Sequence, residues 1–247
     1  MIASYWDTLL INVPDLDAGF FLSIFFIFTP IVMITLWMSR AFESSCTKIQ
    51  ILAALLMGAV CVIPVAGLIT KMGTNEFSSQ SLMVKTFYRA FVTAAAVEEI
   101  VKIGGIFLIL AITKLYKSPR AVILMSTAIG LGFATVENIL YVSDEGLSTA
   151  VVRSFTAVPC HACLGAITGY YLSRFFAEAK LRDLSFAIGV PIILHGMYDL
   201  PLMASIMGAT QSDNRSTLLL ALFTLTLLIF WTRYVVVSMS RNAMTQR

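Results

Sequence analysis

Charge is what this sequence is short of. Asp, Glu, Lys and Arg make up only 13% of its 247 residues, about half of the ~25% usual in soluble proteins. A chain so poor in charge cannot cover a water-facing surface, so the soluble protein its length would suggest is excluded and its outer solvent is largely lipid. Histidine is scarcer still, with two residues. The net charge of +3 is too small, and the basic residues too scattered, to argue for nucleic acid. The four cysteines, Cys46, Cys61, Cys160 and Cys163, lie in or beside apolar segments and do not read as a disulfide framework. Met1 to Asp17 lacks Lys and Arg and carries Asp7, Asp15 and Asp17, so no cleavable signal peptide is expected there. No repeat, low-complexity tract or long linker divides the chain.

In place of charge there is apolar length. A membrane-spanning helix needs ~20 mostly apolar residues. Seven stretches qualify, at about 18–38, 50–70, 87–113, 121–142, 155–176, 184–207 and 216–238. The expectation is an all-α polytopic bundle of about seven spans forming one domain over residues 1–247, its motif-bearing core at about 87–207. Counting Lys and Arg in the short connections orients it. Arg40, Lys48, Lys114, Lys117, Arg120, Arg174, Lys180, Arg182, Arg233, Arg241 and Arg247 fall on one side, and Lys71, Lys85, Arg89, Arg153 and Arg215 on the other. This bias puts the N-terminus outside and the C-terminus in the cytoplasm.

The informative residues are ionisable ones inside the spans: Glu98, Glu99 and Lys102 in the third, Glu137 in the fourth, His161 in the fifth, and His195 and Asp199 in the sixth. A charge at mid-bilayer costs ~2.5–3.5 kcal/mol, so five facing lipid would cost on the order of 15 kcal/mol, as much as the whole stability of a domain. They must turn inward and compensate one another. The i, i+4 spacing pairs Glu98 with Lys102, Glu137 with Tyr141 and His195 with Asp199 on common helix faces. His161, Gly165 and Gly169 form a face on which a neighbouring backbone can approach closely. At ~1.5 Å per residue, all the ionisable groups can reach one level in the outer leaflet.

Each group carries a plainer alternative. Glu98, Glu99 and Lys102 could be a buried ion pair stapling the bundle, and His195 with Asp199 a hydrogen-bonded core histidine. Asn138 and Tyr141 could donate to a carboxylate or a developing oxyanion, or cap a helix end. Cys160 and Cys163 read as small apolar residues. A c-type haem site is excluded because His161 lies between them.

Four ordered motifs nevertheless resemble a known family. Glu98-Glu99-Ile-Val-Lys102, Gly132 to Tyr141 with its Glu137-Asn138 pair, His161 to Tyr171 with Gly165 and Gly169, and His195-Gly-Met-Tyr-Asp199 are similar to the motifs of PrsW-type intramembrane proteases, relatives of the CAAX prenyl endopeptidase and bacteriocin-processing superfamily. The resemblance spans about residues 90–200. It implies site-1 cleavage of a single-span membrane protein near its extracytoplasmic face, in a prokaryotic inner membrane. The characteristic substrate is an anti-sigma factor whose loss starts a stress response. It also implies that Glu98, Glu99 and His195 are essential.

On this reading Glu98, opposed by Lys102, or Glu99 activates a water, and His195, oriented by Asp199, polarises the carbonyl or holds a metal. Glu137, His161, His195 and Asp199 are the candidate metal ligands. Three such ligands plus water is a common catalytic zinc arrangement, and a glutamate-only mechanism stays open beside it. The main rival is a proton- or ion-coupled transporter, which also concentrates acids and histidine inside a bundle. A retinal-type receptor using Lys102 and a catalytically silent scaffold are further rivals.

Overall fold

The computed structural model describes residues 18–42, 45–72, 80–206 and 214–245, and among these there is helix and no strand. The N-terminal stretch read against a signal peptide lies outside them. The helices are α1 (Ala18–Ala41), α2 (Lys48–Met72), α3 (Leu82–Tyr88), α4 (Val97–Thr113), α5 (Pro119–Glu145), α6 (Leu147–Phe155), α7 (Ala157–Glu178), α8 (Leu181–Ile206) and α9 (Asn214–Thr245). A π-helical stretch, Arg89–Ala96, joins α3 to α4 without a break. Among the described residues each stretch expected from the sequence is helical, the fifth with an interruption at Thr156.

Among the described residues, five helices are long and apolar enough to cross a membrane: Ala18–Ala41, Lys48–Met72, Pro119–Glu145, Leu147–Glu178 and Leu181–Ser205. The third expected span is the composite α3–π–α4, whose α4 portion carries Glu98, Glu99 and Lys102. The seventh lies in α9, with an apolar portion over Leu219–Tyr234. Exposed Phe21, Phe25, Trp37, Leu52, Ile63 and Phe230 give the outer face the apolar surface that lipid requires.

Local signals explain the ends. Ser118 caps α5 by accepting from the Ala121 amide, with Pro119 in the first turn. Gly146 ends α5 at φ 77°, ψ −163°, a conformation essentially confined to glycine. Lys114 and Ala179 close α4 and α7 in the left-handed region.

α5 and α7 are the centre of the bundle, and small residues bring them together. A Cβ on Gly165 would stand 2.6 Å from the Ser126 carbonyl oxygen, and one on Gly169 2.7 Å from the Ile123 Cα. Gly130 faces the His161 carbonyl equally closely. On the other side of α5, Gly132 abuts the Leu55 carbonyl, and Gly58 of α2 abuts that of Ile129. With little hydrophobic driving force between helices in lipid, such backbone-to-backbone packing is what holds them. It leaves α4, α5, α7 and α8 close enough for their polar residues to meet.

Candidate active site

Those polar residues form one connected cluster. Lys102 is its hub, 4% exposed, with Nζ donating to Glu99 Oε1 at 2.7 Å and to His161 Nδ1 at 3.1 Å. The same Nζ lies 3.4 Å from Glu98 Oε2 and 4.3 Å above the Phe133 ring. Glu99 Oε1 also bonds to His195 Nδ1 at 2.9 Å. His195 Nε2 is 3.3 Å from Asp199 Oδ2 and 3.9 Å from Glu98 Oε2. His161 Nε2 bonds to Glu137 Oε2 at 2.8 Å, and the two imidazole rings meet edge to face at 5.2 Å. Helices α4, α5, α7 and α8 thus deliver all seven ionisable residues singled out by burial cost to one place.

Donor chemistry fixes the imidazole hydrogens. An ammonium can only donate, so His161 Nδ1 accepts from Lys102 and Nε2 carries the hydrogen that goes to Glu137. Glu99 Oε1 accepts from Lys102 and, as a carboxylate, receives a second hydrogen from His195 Nδ1. Nε2 of His195 is left facing Glu98 and Asp199.

The two adjacent glutamates are used differently. Both are buried, Glu99 to 2% and Glu98 to 7% exposure. Glu99 Oε1 is held by two partners, whereas Glu98 Oε2 is buried without a hydrogen-bond partner. Asp199 approaches His195 as its i, i+4 spacing predicts. The Glu99 contact to the other imidazole nitrogen is one that no spacing within a helix indicates.

Sequence reasoning missed Arg153, which it counted as a loop charge. This residue lies on α6, its Nη2 2.9 Å from Glu137 Oε2 and its Nε donating to Asn138 Oδ1 at 2.7 Å. Its guanidinium stands 4.0 Å from the centre of the Tyr141 ring. Asn138 and Tyr141 therefore adjoin the cluster through Arg153. The one available signal was that Arg153 sits among Ala150, Val151, Val152 and Phe155, a composition better suited to an amphipathic turn than a loop. Cys160 and Cys163 are buried free thiols packed with Leu164, Ile167 and Leu228, in keeping with the apolar reading.

A group able to hold a metal is present among the described residues. Glu98, Glu99, His161 and His195 each offer one ligand atom, all within 4.8 Å of one another. His161 and His195 were expected in such a set. Glu137 and Asp199, the other two expected ligands, instead stand against the imidazoles.

Residues 47–232 match the family described as PrsW family intramembrane metalloprotease. The chain belongs to the PrsW family. Protease PrsW of Bacillus subtilis is 45% identical over 85 residues, 33% of this chain and 39% of that protein. The Protease PrsW of Geobacillus kaustophilus is 31% identical over 156 residues, 62% of this chain and 67% of the relative. For Clostridioides difficile the figures are 32% over 187 residues, 70% of this chain and 76% of the relative. No solved structure matches the chain. Membership of the PrsW family makes the chain an integral membrane protein of a protease class, and the transporter reading finds no support.

Proposed function

We propose that the protein is an intramembrane endopeptidase that cleaves a single-span membrane protein near its extracytoplasmic face, an anti-sigma factor being the characteristic substrate. The observation that carries this reading is Glu98. Its Oε2 is buried and unbonded, 3.9 Å from His195 Nε2, so one water can bond to both groups. Peptide hydrolysis needs a base for that water, a donor for the oxyanion and a proton for the leaving amine. Glu98 takes the water's proton and returns it to the amine. Lys102 balances the glutamate charge, and Glu99 holds His195 through Nδ1. Asp199 orients the same ring from Nε2, the edge that faces the substrate carbonyl. The apolar stretches support seven spans, the Lys and Arg count supports an N-terminus outside and a C-terminus in the cytoplasm, and the family likeness supports a bacterial inner-membrane location.

The family description implies a metal, and the donor set fits one. Two imidazoles and two carboxylates converge within 4.8 Å, ligand types that zinc takes. The cluster also sets four carboxyl groups against two permanent cations, Lys102 and Arg153, an imbalance that a divalent cation offsets. His161, His195 and Glu99 would hold it, with Glu98 remaining as base. When bound, zinc supplies Lewis acidity to a water or carbonyl oxygen.

The test is cleavage of a candidate single-span protein by detergent-purified enzyme. E98Q should lower the rate by about 10²–10⁴-fold, and H195A should abolish cleavage, with both proteins still membrane-inserted; retained cleavage in either sinks the assignment. Metal analysis together with chelation separates the mechanisms. Zinc dependence predicts loss on chelation and recovery on adding zinc, whereas full activity of metal-free protein leaves the carboxylate mechanism alone.

A further inference from the structure

Arg153 has no direct duty in that reaction, yet it is tied to α5 at three points within about one turn. Its Nη2 pairs with Glu137 at 2.9 Å, its Nε donates to Asn138 at 2.7 Å, and its plane lies over Tyr141 at 4.0 Å. Because Nε can only donate, the Asn138 amide is fixed with its oxygen toward the guanidinium. Asn138 Nδ2 is then buried without a partner, and Arg153 Nη2 meets Glu137 as an ion pair rather than through a hydrogen bond, an arrangement that costs free energy. The side chain of Arg153 is 17% exposed, so little water screens its attraction for Glu137. The Glu137 oxygen it pairs with, Oε2, is also the atom that accepts from His161 Nε2 at 2.8 Å.

We infer that Arg153 is a positioning residue, which holds Glu137 against His161 Nε2 and so fixes the orientation of the His161 ring within the cluster. Remove the guanidinium and Glu137 is left with one imidazole hydrogen bond and no neighbouring cation on its outer side. The carboxylate is then free to turn away, His161 loses the acceptor of its Nε2 hydrogen, and its ring is no longer held in place beside Lys102. The effect reaches the chemistry through Glu137 and His161. The kinetic part of this inference rests on the endopeptidase reading; the part that concerns the His161 ring rests on geometry alone.

The protein has two histidines, so a sample labelled with ¹⁵N-histidine carries imidazole signals from His161 and His195 only. Wild type should show His161 protonated at Nε2 and His195 at Nδ1, assigned by comparison with H161N. In R153A, the His161 Nε2–H signal should shift or broaden away while the His195 signal stays. In parallel, R153A should lower kcat by about 10–100-fold, as loss of an outer partner does, with KM little changed. If Arg153 acts through Glu137, the double variant E137Q/R153A is no slower than E137Q alone, because residues acting as a unit are non-additive. A wild-type His161 carrying its hydrogen on Nδ1, an unmoved signal in R153A, or rate losses that multiply would each overturn the inference. Should R153A fail to accumulate in the membrane, R153Q keeps much of the volume without the charge and carries the same predictions. A changed His161 signal in R153A, in a protein whose wild type cleaves nothing, would uphold the positioning role and sink the endopeptidase reading; cleavage with that signal unmoved would do the reverse.

Discussion

Neighbouring positions on a helix diverge by about 100°, which is why Glu98 and Glu99 can share a segment and not a role. Glu99 is wedged between Lys102 and His195, while Glu98 Oε2 accepts no hydrogen bond and lies only at ion-pair distance, 3.4 Å, from Lys102. E99Q should therefore lower cleavage by about 10–100-fold through displaced partners, a smaller loss than that of E98Q; equal losses in single-turnover rates would show that the two are interchangeable. Lys102 is the residue on which the buried carboxylates depend. Removing one partner of a buried ion pair typically costs ~3–5 kcal/mol, so K102M should lower the melting temperature in detergent markedly. An unchanged melt would mean that another cation or bound protons already supply the balance. The residues of this cluster were readable in the sequence because lipid makes a misplaced charge expensive. Arg153 was not, since a charge near a span end carries no such penalty.

At the scale of elements, the hydrophobic runs located the long helices, because ~20 apolar residues have few alternatives in a membrane, and missed the short α6 and most of α3. Two features escaped that logic. The π-helical Arg89–Ala96 stretch leaves no mark on composition, and it sets the rotation of Glu98 and Glu99 relative to the first turns of the same span. The break at Thr156 that separates α6 from α7 is likewise silent in an apolar run. Helix contact is easier to anticipate: the Gly165–Gly169 face does meet the α5 backbone. The Gly132 and Gly58 contacts predict that G132V or G58V lowers stability by at least ~1–3 kcal/mol, since the obstructing atoms are backbone carbonyls rather than movable side chains. A melting temperature equal to wild type would mean that α2 and α5 can part at no cost.

For the molecule as a whole, the prediction concerns orientation. Reporter fusions at the two ends should read the C-terminus as cytoplasmic and the N-terminus as external. The opposite result would move the cluster to the inner leaflet and with it the side on which substrate is cut. The cluster's existence was legible because four spans each carried ionisable groups at compatible depth. Its internal wiring was not, because contacts such as Glu99 to His195 and His161 to Lys102 join residues 96 and 59 positions apart. Only the packed bundle creates them.

Gly146 stands at an exposed turn with nothing within 4 Å of where a Cβ would be, at a positive φ that side chains rarely adopt. Its backbone directs α6 back toward α5, and with it the guanidinium that steadies Glu137. A mutational survey would therefore find a surface position, roomy and chemically inert, whose replacement even by alanine imitates damage to the reaction centre.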